Sequence, residues 1–140
     1  MTTTITTSAA PDAKPVAVSY TATTSWVTIV SVPQYLIPSG SYFGSGDITV
    51  PGVAEFITPL MCSNTGSVTA SVSVRIVRAG GATSILANAL PVPPNDALAL
   101  PINGQFLMTD DVMQVRASAG TTIDVTMSYT VGQAEQDDVV

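Results

Sequence analysis

Two stretches of this chain alternate residue by residue between apolar and polar side chains, and a period of two leaves little freedom in what they can become. Over residues 67–78, Val68, Ala70, Val72, Val74 and Ile76 alternate with Thr69, Ser71, Ser73 and Arg75. Over residues 121–131, Ile123, Val125, Met127, Tyr129 and Val131 alternate with Thr122, Asp124, Thr126, Ser128 and Thr130. Successive side chains of a strand point to opposite faces, so each stretch reads as a strand with one face inward and one outward. A helix would need apolar residues three and four apart, and no segment shows that spacing.

The rest of the chain is cut into short runs of the same kind. Residues 25–32 (Ser-Trp-Val-Thr-Ile-Val-Ser-Val) form a strand ended by Pro33, and residues 54–63 form another, with Pro59 marking an edge or a bulge. Asn64-Thr65-Gly66 supplies a tight turn and Gly80-Gly81 a second. Residues 38–52 are a Gly/Ser/Pro-rich loop with room for one short strand at 47–50. Residues 83–92 run into Pro91-Val92-Pro93-Pro94, which fits only an edge or a connector. Residues 105–108 and 112–118 read as a hairpin around Thr109-Asp110-Asp111. About eight antiparallel strands with turns every 8–12 residues predict an all-β fold, a single β-sandwich of jelly-roll type.

Three segments follow: an extended N-terminal arm at 1–15, the sandwich at 16–132 and an acidic tail at 133–140. The arm is Thr-rich, and Pro11 and Pro15 flank Asp12-Ala13-Lys14, a composition that keeps it extended and outside a sheet. It is either a disordered tail or a strap ordered on a neighbouring subunit. With 140 residues the chain has the size of one domain and needs no disulfide, which its single cysteine could not form internally.

Only 10% of residues are charged, against roughly 25% in ordinary globular chains. Thr and Ser supply the polarity instead. A surface so short of charge fits either a secreted β-domain or a subunit whose faces are covered in an assembly. The start of the chain has neither a basic region nor an apolar core of a signal peptide, so the expectation is synthesis and retention in a host cytoplasm. No apolar run approaches the ~18 residues of a membrane span. A net charge of −6, with Lys14, Arg75, Arg78 and Arg116 as the cations, speaks against nucleic acid as a partner.

The chain has no histidine, which removes the commonest general base, the commonest zinc ligand and the Ser-His and Cys-His nucleophile systems. Cys62 sits in an alternating strand beside Leu60 and Met61 and reads as a buried, inert thiol. Asp110-Asp111 reads as turn chemistry, with a weak Ca²⁺ site or an acid pair as the alternatives. No catalytic residue, cofactor or metal site is expected, and the chain reads as a non-enzyme. Among the aromatics, Trp26 and Phe56 fall within strands and are assigned to the core. Tyr42-Phe43, in the Gly/Ser loop, could grip a glycan, anchor in a partner's pocket or fold back over the sandwich.

The order of segments carries a resemblance. A Thr/Ser-rich strand ending in Val32-Pro33 is followed by residues 60–78, with their Asn-Thr-Gly turn. Then come the stretch Leu90-Pro-Val-Pro-Pro-Asn-Asp-Ala-Leu-Ala-Leu-Pro-Ile-Asn-Gly-Gln-Phe-Leu, an Asp-bearing turn, Val-Met-Gln-Val-Arg-Ala-Ser118 and a last Ile-Asp-Val-Thr-Met-Ser strand. Residues 23–131 so read resemble small virion structural proteins of tailed bacteriophages, with Asp110-Asp111 standing where Gly-Asp is common. The resemblance implies a place in the virion and no catalytic residue. The expected role is capsid decoration (cement), with the major capsid protein and further copies of the chain as partners, as a homo-oligomer such as a trimer at a three-fold position. A neck or tail accessory subunit and a carbohydrate-binding, adhesin-like module are the alternatives. The candidate interface residues are Thr2, Thr3, Thr4, Ile5, Pro11 and Pro15 of the arm, with Tyr42 and Phe43 of the loop.

Overall fold

A computed structural model describes residues 14–37, 48–118, 120 and 122–133, and among them there are strands and no helix. The first six strands are β1 (Lys14–Thr21), β2 (Val27–Ser31), β3 (Tyr35–Ile37), β4 (Ile48–Val50), β5 (Gly52–Phe56) and β6 (Leu60–Asn64). The other six are β7 (Ala70–Val77), β8 (Thr83–Val92), β9 (Asp96–Leu100), β10 (Phe106–Met108), β11 (Val112–Ala117) and β12 (Ile123–Gln133).

The register reduces these twelve to eight long strands and a small hairpin. Along one edge of β12 lie β6, opposite residues 123–126, and β5, opposite residues 129–133. They are one strand broken at 57–59 around Pro59, and the N–H groups of Ile57 and Thr58 both donate to the Ser128 carbonyl at the break. In the same way β9 and β10 lie end to end against β6 and β5. The first sheet is therefore β1, β12, β5 with β6, and β9 with β10; the second is β2, β11, β7, β8. β3 and β4 pair only with each other. All pairs are antiparallel.

Counted in chain order, the eight long strands pair first with eighth, second with seventh, third with sixth and fourth with fifth. That nesting is a long antiparallel ribbon folded over on itself, the jelly roll expected from the sequence. The core lies between the sheets. Its inner faces are the alternating residues already singled out: Val72, Val74 and Ile76 of β7 and Ile123, Val125 and Met127 of β12 are all buried, with Phe56, Leu60, Leu107, Met113 and Val115. Phe56 and Tyr129 meet edge to face, ring centroids 6.5 Å apart.

Three expectations need correcting. Pro15 is not in an arm outside the sheet, because β1 begins at Lys14 and Pro15 lies opposite Thr130. β1 pairs only with β12, so it is an edge strand, where a residue lacking an N–H is tolerated. Residues 105–108 and 112–118 do not form a hairpin: β10 pairs with β5, and β11 with β2 and β7, so the turn at 109–111 is a corner between the sheets. Val68 is 67% exposed, because β7 begins two residues later, at Ala70. The remainder of the expected arm and the tail beyond Gln133 lie outside the described residues.

Among the described glycines, Gly52 leaves the least room for a side chain. A methyl group there would press on the Pro33 carbonyl oxygen and lie 3.0 Å from the Val32 side chain. Gly52→Ala should therefore destabilise the domain by about 1–3 kcal/mol, measured as a lowered midpoint in urea. Val125→Asp should abolish soluble expression, since it buries a charge with no partner. Thr126→Asp, one residue along and facing outward, should leave the midpoint within about 0.5 kcal/mol of wild type. Equal behaviour of the last two would show the assigned faces of β12 to be wrong.

Candidate functional site

The outer face of the first sheet carries the polar half of the β12 alternation, flanked by the outward residues of its neighbours. Its rows read across the strands as Thr21, Asp124, Ser63, Ala97; then Ser19, Thr126, Met61, Ala99; then Pro15, Thr130, Glu55, Phe106. Gly132, Val53 and Met108 make the last row. Charge enters these rows only as Glu55 and Asp124, and the Asp124 carboxylate accepts a hydrogen bond from the Thr21 hydroxyl at 2.7 Å. Large apolar side chains stand out instead: Met61 is 37%, Met108 43% and Phe106 53% exposed, with Ile57 at the break between β5 and β6 at 49%. In the middle is a shallow depression of about 410 Å³, floored by Ala17, Thr58, Pro59, Met61 and Thr126. A face of hydroxyls, methyls and thioethers with little charge is inexpensive to desolvate, which suits the core of a protein interface.

The outer face of the second sheet differs. Trp26, half-buried, precedes β2 and lies near the guanidinium carbons of Arg75 and Arg116, 4.1 and 4.6 Å from its ring centroid. This corrects the assignment of Trp26 to the core: it is one position outside β2, level with Arg116, whose side chain points outward. Arg75 Nε donates to Gln114 Oε1 at 2.8 Å, and Gln114 Nε2 donates to Thr28 Oγ1 at 3.2 Å. Beside Arg116 a groove of about 290 Å³ is lined by Ser71, Ser73, Asn88 and Ser118. It opens where the β7–β8 register slips between Val72 and Val74, leaving Ala89 at φ 51° with its N–H donating to the Ser73 hydroxyl at 2.9 Å.

Of the residues singled out in sequence, Thr2, Thr3, Thr4, Ile5, Pro11, Tyr42 and Phe43 lie outside the described residues. Pro15 joins the outer face of the first sheet. Neither the Met61–Phe106–Met108 cluster nor the Arg75–Trp26–Arg116 cluster was foreseen, because each depends on which strands become neighbours. The outward positions of β7 and β12 were legible, but not their partners.

Asp111 is a structural anchor. Its carboxylate is buried and accepts from Met108 N–H at 2.9 Å, Ala79 N–H at 2.9 Å and Arg78 Nη1 at 3.0 Å, tying the corner after β10 to the end of β7. Burial alone would raise its pKa, but these donors and the guanidinium charge outweigh it and hold it below 3.8. Both oxygens are thus committed to the fold. Asp110 beside it takes the left-handed backbone (φ 70°) that makes the turn. Cys62 is fully buried, and burial pushes its thiol up to about 11, so almost no thiolate forms near neutrality.

No known family's sequence model matches the chain, and no curated protein matches it in sequence. Solved structures with a related chain path include a pilus of Bacillus endospore appendages, at 10% identity and TM-score 0.46, over 89% of this chain and 88% of that one. A chain of the T13 particle of infectious bursal disease virus aligns at 9% identity and TM-score 0.48, over 85% of this chain and 30% of the viral one. The xylan-binding CBM22-1 domain of Paenibacillus barcinonensis Xyn10C aligns at 10% identity and TM-score 0.35, over 87% and 95%. At these TM-scores no function transfers from any of them.

Asp111 sets an acid limit on stability. A carboxylate whose folded pKa is lowered stabilises above its unfolded value and loses that contribution as pH falls through the folded one. Asp111→Asn should lower stability at pH 7 by about 1–3 kcal/mol, by mispairing two N–H donors and the guanidinium. The gap to wild type should stay constant down to about pH 4 and narrow below it. Denaturation midpoints of both proteins between pH 2 and 7 would check this.

Proposed function

We infer that the chain is a non-enzymatic structural subunit of a virus particle, a decoration protein that seats the outer face of its first sheet on the shell of a tailed phage. The observation that carries this reading is the face itself: four strands wide, with Met61, Phe106 and Met108 exposed among hydroxyls and two carboxylates as its charges. Such a face left bare would favour association, and covering it on a shell adds buried interface at points where shell subunits meet. The partners in this reading are the major capsid protein and further copies of the chain, as a trimer at a three-fold position. The segment before Lys14 lies over a neighbour in it, Pro11 included. The low charge and the segment order that resembles tailed-phage virion proteins support the same reading.

The experiment is quantitative mass spectrometry of purified particles of the virus that encodes the chain, paired with rebinding of purified protein to particles that lack it. A fixed ratio to the major shell protein is expected. Met61→Glu and Phe106→Glu, both at exposed positions, should weaken rebinding at least tenfold, about 1.4 kcal/mol each, with unfolding midpoints unchanged. Absence of the chain from the particles, or rebinding unaffected by both substitutions, would overturn the assignment.

A further inference from the structure

The cluster on the second sheet has no part in that face. Two of the four cations of a chain of net charge −6 are held beside its single tryptophan. Neither Arg75 nor Arg116 forms an ion pair among the described residues, where Arg78 and Asp111 make the pair. Arg75 is further fixed by Gln114. Guanidiniums arranged in this way lose little side-chain freedom on gaining a carboxylate, and they offer it paired N–H donors. The groove beside Arg116 adds the hydroxyls of Ser71 and Ser118 and the amide of Asn88. Hydroxyl and amide donors next to a guanidinium suit an extended peptide bearing carboxylates.

We propose that this cluster binds the acidic segment of a second copy of the chain, residues 133–138, through Glu135, Asp137 and Asp138. The proposal deepens the assembly reading by naming a contact between copies, and it uses a different face from the one that meets the shell. Charge complementarity is one argument: residues 133–140 hold three of the chain's ten acids and no cation. Reach is the other. Trp26 lies at the end of the sandwich where Val27 pairs with Val115, Ala117 N–H donates to Thr23 and Ala22 N–H donates to Ile123. From Ile123 the 11 residues of β12 advance about 33 Å toward the opposite end, on the other sheet. Five further residues to Asp138 can retrace at most about 18 Å. The acids of one copy therefore fall short of its own cluster and meet that of another.

Trp26 is the sole tryptophan, so its emission reports occupancy directly. The full chain, at sub-micromolar concentration, would be titrated with a synthetic peptide of residues 132–140. A parallel titration would use the peptide with E135Q, D137N and D138N. A saturable change in emission is expected with the acidic peptide, weakened at least tenfold by 0.5 M NaCl or by the amide substitutions. Arg116→Gln, at an exposed position, should weaken it at least tenfold, and the R75Q/R116Q pair should abolish it. The peptide substitutions keep the test decisive should the paired variant fold poorly. No saturable change, an equal response to the amide peptide, or a response to oligogalacturonate but not to peptide would overturn the proposal. Because no shell is present, this outcome is independent of whether the first sheet binds particles.

Discussion

Everything in this fold leans on β12 being bonded along both edges. Its eleven residues hold β1 on one side and the broken strand β5–β6 on the other, so the last described strand ties the first to the middle of the chain. Its inner side chains, Ile123, Val125, Met127 and Tyr129, are at the same time the floor of the core. Such long-range pairing closes large loops and is entropically expensive until the core forms. Once β12 is seated, the corners follow: Asn64 donates from Nδ2 to the Val68 and Val92 carbonyls, at 2.8 and 2.9 Å, and Asp111 fixes the opposite corner.

How much of this was legible in the sequence depended on how local each signal was. Period-two alternation is local, and it located β7 and β12 to within three residues and assigned their inner faces apart from Val68. Asn64-Thr65-Gly66 was legible as a turn because the Asn side chain accepts from Gly66 N–H two residues away. The sandwich was begun at Val16, two residues inside β1, with Pro15 set outside it, since nothing local shows that the strand is an edge. The supposed hairpin at 109–111 failed for a related reason. Two strands joined by a short turn ordinarily pair, but here each was better satisfied by distant strands, and a buried carboxylate made the sharp corner affordable. The short strands β3 and β9 lacked enough alternation to be seen.

The candidate surfaces were less legible than the fold. Low charge in the sequence pointed to covered faces without saying which, and the register was needed to bring Met61 on β6 into one face with Phe106 and Met108 on β10. Trp26 looked like a core residue because it opens an apolar run. One position of strand phase turns it outward, to the level of Arg116. The result is a molecule with two unlike faces, one nearly neutral and apolar, the other displaying guanidiniums around an indole.

The edges of the two sheets have a consequence of their own. β1 carries Pro15, β8 carries Pro91 together with two slips of register and a left-handed Ala89, β2 is five residues long and slips against β11, and β9 and β10 are separated by residues 101–105. Among the described residues no edge offers a long, regular row of free N–H and C=O groups. A Thr- and Val-rich chain with so few charges would otherwise be at risk of growing into fibrils through edge-to-edge hydrogen bonding. Blunted edges let such a sequence stay concentrated without templating its own aggregation, and they leave recognition between molecules to side chains rather than to backbone.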